Sequence, residues 1–329
     1  MRTLSLPEIG RRGMQMMIRM ILVVIATVTV FFASDWALPQ SAAAYPFWAQ
    51  QTAPETPRED TGRIVCANCH LAQKEAELKI PQSVAPDTVF EAVVEIPYDL
   101  DTQQVLGDGS KGGLNVGAVL MLPEGFQIAP EDRMSEEMQE EVEGVFFQPY
   151  SQDQKNIVLV GPLPGEQYRE IVFPVLAPDP EANKDLHFGK YQVHLGANRG
   201  RGQFYPSGDK SNNTVQSASE AGTISQITKA EAGGYELAIN TSDGNSVQET
   251  IPAGPELIVS EGQKVEAGEA LTNNPNMGGF GQEDSEIVLQ SPGRIKWLMG
   301  FLGLIALAQI LLIIKKKQVE RIQEAEMNF

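Results

Sequence analysis

Short runs of β-favouring apolar residues recur through the middle of the chain, and glycine, proline and asparagine separate them. Five such runs are predicted as strands: Thr88–Ile96, Ala118–Leu122, Asn156–Val160, Glu170–Leu176 and Tyr191–Leu195. Short strands with turn residues between them are typical of an antiparallel β-sandwich. The pattern predicts helix at Met134–Val142, and a short helix beginning at Val65.

A second, smaller β unit is predicted for residues 214–276. Its predicted strands are Tyr235–Ile239, Glu249–Ile251 and Leu257–Val259. The stretch from Ile251 is similar to the barrel-sandwich units of biotinyl and lipoyl domains, but no lysine occupies a hairpin tip as in those carriers. We therefore interpret the similarity as one of fold only. The large sandwich then comprises residues 45–213 and 277–293.

Both ends of the chain carry membrane signals. An apolar run, Met20–Ala33, is preceded by four arginines: Arg2, Arg11, Arg12 and Arg19. A stretch of small residues, Ser41–Ala44, follows it. This order is typical of a secretory signal peptide, so residues 1–44 are predicted to be removed and Tyr45 to begin the mature chain. An uncleaved N-terminal anchor is the alternative, although the apolar run is short for a span.

The C-terminal region contains a predicted transmembrane helix at residues 294–314. Trp297–Ile314 carries no charge, and Lys315–Lys317 follows at once. The positive-inside rule places the tail, residues 315–329, on the side of synthesis. The body between the two signals is therefore expected to be exported and tethered by its C-terminus.

The exported body is strongly acidic, and this changes the expected partners. Residues 45–293 contain 15 basic and 38 acidic residues, a net charge of -23, whereas the whole chain carries -18. A surface of this sign argues against nucleic acid as a partner.

The only two cysteines, Cys66 and Cys69, precede His70 in a C-x-x-C-H motif. One helical turn places both thiols on one side, where each can add to a haem vinyl group, and the imidazole can then bind the iron. A thioredoxin-like motif would need a βαβ unit, and a zinc site would need four ligands. We therefore predict one covalently bound haem c.

The second axial ligand is left open by the residues alone. His194 is out of phase with its apolar neighbours and is interpreted as a solvated side chain, and His187 as a satisfied structural histidine. The methionines have more ordinary structural interpretations. The α-amino group of Tyr45 is a further candidate, because an α-amine loses its proton at about pH 7.7–8.0.

These features together resemble the cytochrome f family over the whole mature chain, Tyr45–Phe329. The motifs that carry the resemblance are Tyr45–Gln51, Gly62–Ala72, Leu176–Pro180, Gly196–Gln203 and Asn274–Gly281. The resemblance implies a thylakoid membrane protein with its large domain in the lumen and its C-terminus cytoplasmic or stromal. It also implies an electron carrier, not an enzyme, within the quinol-oxidising cytochrome bf complex.

The resemblance implies specific site residues. Tyr45 would ligate the iron through its α-amine opposite His70, beside Pro46 and Trp48 in the haem surround. An internal chain of ordered waters would run past polar residues that match the family: Gln104, Asn198, Gln203, Asn213 and Asn276. Turn formation is the alternative role of the asparagines.

The implied partners are a Rieske iron–sulfur protein as donor and plastocyanin or a soluble c-type cytochrome as acceptor, with membrane lipid around the helix. Plant members carry a lysine-rich patch that steers plastocyanin. Here the matching positions are Gln103, Ser110, Ala232 and Ala253, and only Lys111 is kept. We therefore expect a neutral or basic acceptor, as for a cyanobacterial protein.

Overall fold

The structure is a computed structural model, and it describes residues 48–231 and 233–327. The predicted signal peptide, Tyr45 and Pro46 lie outside the described residues, as does Ala232.

Two β-sheets form the large part of the protein, with strands numbered in chain order. The first sheet consists, in spatial order, of β1 (Glu77–Lys79), β3 (Val89–Glu95), β10 (Glu170–Leu176) and β7 (Gln127–Ile128). The second consists of β2 (Ser83–Val84), β16 (Gly279–Leu289), β11 (Gly189–Arg199), β6 (Asn115–Met121), β9 (Ile157–Pro164) and β8 (Gln148–Pro149). Within these two sheets every pairing is antiparallel except β2 with β16, which is parallel.

The core lies between these two sheets. Val94 and Phe173 from the first sheet and Leu120, Leu195 and Ile287 from the second are fully buried in one cluster. Alternate residues of a strand point to opposite faces, so each sheet contributes every second side chain to the core. The predicted β-sandwich is thus confirmed.

A third sheet has its own core. It consists of β14 (Ser246–Ile251), β13 (Tyr235–Asn240), β12 (Gly222–Lys229) and β15 (Lys264–Val265), all antiparallel. Ile224, Leu237 and Ile239 are buried in a cluster separate from the sandwich core. The small β unit is present, while its boundaries at 214 and 276 stay a prediction. Separately, β4 (Gln104–Val105) and β5 (Lys111–Gly112) pair with each other as an antiparallel hairpin.

Two local predictions were wrong. The strand predicted at Leu257–Val259 is not formed, and Leu257 makes only a single β-bridge with Thr272. The helix predicted at Met134–Val142 is shorter, α2 (Glu136–Glu141), because the Ser135 hydroxyl accepts the Met138 N–H at 3.2 Å and so caps it. A further short helix, α1, spans Trp48–Thr52.

The C-terminal helix, α3, spans Pro292–Met327 and has the length and composition to cross a membrane. Its 36 residues extend about 54 Å at 1.5 Å per residue, well over the ~30 Å hydrocarbon core. The helix does not end at Lys315–Lys317 but continues into the predicted tail. None of its residues is buried, as expected for a helix that faces lipid.

Replacing Phe173 by alanine should lower the free energy of unfolding by about 3–5 kcal/mol, because it leaves a cavity between the sheets. Phe173 is 0% exposed, and its ring lies 5.3 Å from that of Phe147. The matched control is Phe146→Ala, which removes a ring that is 75% exposed and should change stability by less than about 0.5 kcal/mol. Guanidinium unfolding followed by circular dichroism measures both; equal losses would contradict the assigned core.

Candidate haem site

Cys66, Cys69 and His70 lie on one tight turn. A 3-10 helix spans Val65–Asn68, and the Cys66 carbonyl accepts the N–H groups of Cys69 at 3.2 Å and His70 at 3.0 Å. Both cysteines are free thiols and partly exposed, whereas His70 is 6% exposed. The short helix predicted around the cysteines is thus present, as a single turn.

The turn is attached to the outer face of the second sheet. Ile64 is 1% exposed and packs in a cluster with Val65 and Phe280. A Cβ at Gly196 would lie only 3.0 Å from the Ile64 Cδ1 atom, so the glycine leaves room for the Ile64 side chain on β11. The Gln282 Oε1 atom accepts the Ile64 N–H at 3.1 Å. The sheet therefore fixes the start of the cysteine turn.

The end of the turn is held by Gly202 and Gln203. The Gln203 N–H donates to the Cys69 carbonyl at 2.7 Å, and the Gln203 Oε1 atom accepts the Leu71 N–H at 2.9 Å. A Cβ at Gly202 would lie 3.2 Å from the Cys69 Cβ atom. Gln203 therefore spans the backbone on both sides of His70.

Burial sets the protonation of the three side chains. It lowers the pKa of His70 to about 4 and raises the pKa of Cys66 to about 12; it also raises the pKa of Cys69. At neutral pH the imidazole is uncharged, which is the form that binds metals. The thiols remain S–H groups.

The residues of the turn fit a haem of the c type. Among the described residues, the buried Nδ1 atom of His70 has no hydrogen-bond partner. A buried polar atom of this kind costs free energy unless a further group or a water satisfies it. In residues 48–231 and 233–327 no group of three or more His, Cys, Asp or Glu side chains could hold a metal ion, so a zinc site there lacks ligands.

The helix α1 lies beside the turn. The Tyr150 hydroxyl lies 2.9 Å from the Ala49 carbonyl oxygen and 2.6 Å from that of Ala53. Burial and then the nearby Cys66 raise the pKa of Tyr150 to about 12. Trp48, the first residue of α1, meets Tyr205 edge to face, with ring centroids 6.4 Å apart.

Tyr205 and Tyr150 were missed by sequence reasoning. Tyr205 follows the Gly196–Gln203 motif by only two positions, which is the one signal that could have drawn attention to it. Nothing in the sequence around Tyr150 marks it, because its partners are about 100 residues away.

Four of the five predicted polar residues form one network around the Arg201 backbone, in which Gln104, Gln203 and Asn213 are buried and Asn276 is partly exposed. The Arg201 N–H donates to the Gln104 Oε1 atom at 2.7 Å, and its carbonyl accepts Gln203 Nε2 at 3.0 Å and Asn213 Nδ2 at 2.8 Å. Asn213 Nδ2 lies 3.4 Å from the Asn276 Oδ1 atom. The Asn213 Oδ1 atom is buried without a partner among the described residues.

Asn198 is not joined to that network by a side-chain hydrogen bond within the described part of the chain. It lies in β11, between the register partners Gly117 and Phe280. The structure thus brings together Gln104, Gln203, Asn213 and Asn276 and leaves Asn198 apart.

Two buried arginines were not predicted as site residues, although both belong to the Gly196–Gln203 motif. The Arg201 Nη1 atom donates to the Val105 carbonyl at 2.9 Å and to the Asn212 Oδ1 atom at 2.5 Å. Arg199 is 1% exposed and donates to the Glu75 carbonyl. Burial lowers the pKa of Arg199 to about 10 and also lowers that of Arg201.

The other two histidines have different surroundings from those predicted. His194 is not fully solvated: its side chain is 16% exposed, and its Nδ1 atom lies 2.7 Å from Asp284 Oδ1. Burial alone raises the pKa of Asp284, but His194 and Arg58 hold it below its usual range. His187 is exposed. The Tyr191 hydroxyl accepts a hydrogen bond from the His187 backbone N–H and donates one to the His187 carbonyl.

The sandwich, the cysteine turn and the apolar C-terminal helix define a membrane-anchored, mostly β haem protein. Family models describe two parts of such a chain: apocytochrome F, N-terminal, matches residues 45–200, and apocytochrome F, C-terminal, matches residues 212–329. The chain belongs to the cytochrome f family.

Individual relatives agree over the full length. Cytochrome f of Rippkaea orientalis is 70% identical over 329 residues, 100% of both chains. Cytochrome f of Microcystis aeruginosa is 70% identical over 326 residues, 99% of this chain and 98% of that one. Cytochrome f of Synechocystis is 68% identical over 311 residues, 94% of each. The similarity to cyanobacterial members is confirmed.

Family membership carries a broad assignment. The chain is a haem-bearing electron-carrier subunit of the cytochrome bf complex and a thylakoid membrane protein.

Replacing Gln203 by leucine should lower the free energy of unfolding by about 1–3 kcal/mol, because the Leu71 N–H would lose its acceptor in a partly buried place. Gln203 is 3% exposed. The matched control is Gln192→Leu, on an exposed position of β11, with an expected change below about 0.5 kcal/mol. Denaturant unfolding of both variants measures the difference; an unchanged Gln203→Leu protein would mean that the turn does not depend on this side chain.

Proposed function

We propose that this protein passes single electrons from a Rieske iron–sulfur protein to plastocyanin or a soluble c-type cytochrome, through one covalently bound haem c. The observation that carries the proposal is the turn that places two neutral thiols and a buried, neutral imidazole together. When bound, the haem supplies an iron that gains and loses one electron reversibly.

In this proposal Cys66 and Cys69 would hold the haem, each through a thioether bond made by addition of its S–H group to one haem vinyl group. His70 would bind the iron through an imidazole nitrogen. The Gln203 bonds to Cys69 and Leu71 hold the backbone on either side of the histidine in place.

In the proposal Tyr45 would bind the iron through its α-amine, which exists only after cleavage behind Ala44. Support comes from α1, which begins at Trp48 and whose Ala49 packs in one cluster with Val65 and Cys66. Tyr45 lies three positions before Trp48 in the sequence, and an extended segment of that length reaches about 10 Å. Pro46 restricts the backbone next to the ligand, and Trp48 with Tyr205 provides an aromatic wall.

The side-chain amides of Gln104, Gln203 and Asn213, which are buried, and of Asn276, which is partly exposed, are proposed to hold ordered water. Amides suit this role because each has both donors and acceptors. The Asn213 Oδ1 atom, which has no hydrogen-bond partner in the described part of the chain, could accept a hydrogen bond from such a water. Asn198 fits this proposal less well than the other four.

The proposed topology places the sandwich and the small β unit in the thylakoid lumen and residues 315–329 on the cytoplasmic or stromal side. The signal peptide at residues 1–44 would deliver the body across the membrane. Support comes from the charge-free helix segment up to Ile314 and the three lysines that follow it. The complex to which the chain belongs is proposed to oxidise quinol.

The purified mature protein should begin at Tyr45, and its ferrous haem should not bind carbon monoxide, because two nitrogen ligands would occupy the iron. N-terminal sequencing and absorbance spectra before and after carbon monoxide or cyanide measure this. The Cys66→Ser, Cys69→Ser double variant is the control for attachment and should release haem into acidified acetone. A different N-terminal residue would refute the amine ligand, and ready carbon monoxide binding would favour a haem peroxidase or reductase.

The position of Lys111 bears on partner choice. It is exposed in the β4–β5 hairpin, whose loop packs on the small unit: Asn212 Nδ2 donates to the carbonyls of Leu106 and Ala253, each at 2.8 Å. Ser110 and Ala253 occupy two of the positions that carry lysine in plant members. Their segments lie side by side here, because Asn212 bonds to both and Gly109 closely approaches Ala253. A single lysine there, in a body of net charge -23, leaves little positive field.

Electron transfer to a basic acceptor should slow as salt is added, because screening removes the attraction to the acidic body. The rate with a strongly acidic acceptor should stay constant or rise. Stopped-flow rates for one acceptor of each sign, measured over a range of ionic strength, test the direction. A strongly acidic acceptor that reacts faster at low salt would contradict the proposed partner chemistry.

A further inference from the structure

A groove of about 690 Å³ lies where the second sheet ends and helix α3 begins. Phe188 and Gly189, at the start of β11, line it on the sheet side; Arg294, Trp297 and Phe301 line it on the helix side. The volume falls within the roughly 300–1,000 Å³ of ligand sites in proteins. None of these residues belongs to the candidate haem site.

The helix side of the groove is one continuous face. Arg294, Trp297 and Phe301 are spaced by three and four residues, so they lie above one another along α3. Trp297 is 81% exposed and Phe301 is 60% exposed. Phe188, by contrast, packs partly against the sandwich core. The groove therefore offers aromatic surface that the described part of the protein leaves uncovered.

Arg294 is the single charged residue that lines the groove. Within residues 48–231 and 233–327, its guanidinium has no ion pair or hydrogen bond; only its backbone N–H is bonded, to the Ser291 Oγ atom at 3.3 Å. Lys190, the second residue of β11, is already paired with Glu286. An arginine carries a permanent charge and a planar set of donors that suits phosphate and sulfonate groups.

The groove also lies at a defined depth. The charge-free segment begins at Trp297, so Arg294 lies one turn outside it, at the level of lipid headgroups. Basic side chains at this level attract anionic lipids. We propose that the groove binds one anionic membrane lipid, with its phosphate or sulfonate headgroup on Arg294 and an acyl chain along Phe188, Trp297 and Phe301.

The test uses the intact complex and phosphatidylglycerol as the probe. Complexes are exchanged into detergent that contains this lipid, and native mass spectrometry counts the lipid retained by the cytochrome subunit. Arg294→Gln should retain about tenfold less, the ratio expected when one contact to a charged group is lost. The matched control is Lys296→Gln, which removes one charge at nearly the same depth from a residue outside the groove, and it should retain the wild-type amount.

A second variant blocks the groove without changing charge. A Cβ at Gly189 would meet nothing within 4 Å, so Gly189→Phe can extend into open space without disturbing the sheet. It should lose the lipid as Arg294→Gln does, while Arg294→Lys should keep most of it. Haem absorbance should be the same in all variants, because none touches the haem turn.

Three results would overturn the proposal. Equal losses in Arg294→Gln and Lys296→Gln would show only a diffuse attraction to the charged helix end. Unchanged lipid in both Arg294→Gln and Gly189→Phe would mean that another subunit or nothing fills the groove. Retention of phosphatidylcholine equal to that of phosphatidylglycerol would show that Arg294 selects no anion. If Arg294→Gln fails to assemble, lipid retention by Gly189→Phe still tests the proposal, because that variant keeps Arg294.

Discussion

The packing of Ile64 against Gly196 is the contact on which the haem-binding turn depends. One face of β11 presents Val193, Leu195 and Ala197 to the sandwich core, and Gly196 therefore belongs to the opposite face. There, the absence of a side chain lets the segment before Cys66 lie directly on the sheet. A Cβ at position 196 would lie 3.0 Å from side-chain atoms of both Ile64 and Phe280, so these side chains would have to shift to make room for it.

The same strand continues into the segment that holds the other end of the turn. β11 ends at Arg199, and Gly202 and Gln203 follow it to reach Cys69 and Leu71. One stretch of chain, Gly196–Gln203, thus contacts Ile64 before the turn and Cys69 and Leu71 at its end. A group carried by such a rigid element keeps its geometry better than one on a free loop, which suits a carrier whose haem must change charge without rearrangement.

Buried polar groups concentrate in this same stretch. Arg199 and Arg201 are withdrawn from water, and burial lowers the pKa of both. The backbone of Arg201 connects Gln104, Gln203 and Asn213, so a polar interior lies directly behind His70. Polar interiors are costly unless they are hydrogen-bonded, and most of these atoms are. In the described part of the chain, His70, Arg199 and Asn213 keep buried polar atoms without hydrogen-bond partners. A water or a cofactor could bind at these atoms.

Local sequence was enough for several features. Glu170–Leu176 was predicted and observed with the same bounds, because its alternation and β-branched residues are local properties. The membrane helix followed from composition, and the cysteine turn from the spacing of C-x-x-C-H. The family resemblance added Tyr45 and the polar residues, of which the structure joins four.

Other features were decided by contacts between distant parts of the chain. Tyr191–Leu195 was predicted as a strand, but β11 extends to Gly189 and Arg199, because pairing with β16 and β6 imposes strand geometry on Gly196 and Asn198. Leu257–Val259 has strand-like residues but lacks a neighbour for more than one bridge. The chain's own sequence thus determined the motif, the span and most strands, since those signals act over a few residues. Only the tertiary structure decided that Gln203 holds His70, that Tyr205 faces Trp48 and that Arg294 lines a groove, because each depends on residues far apart in sequence.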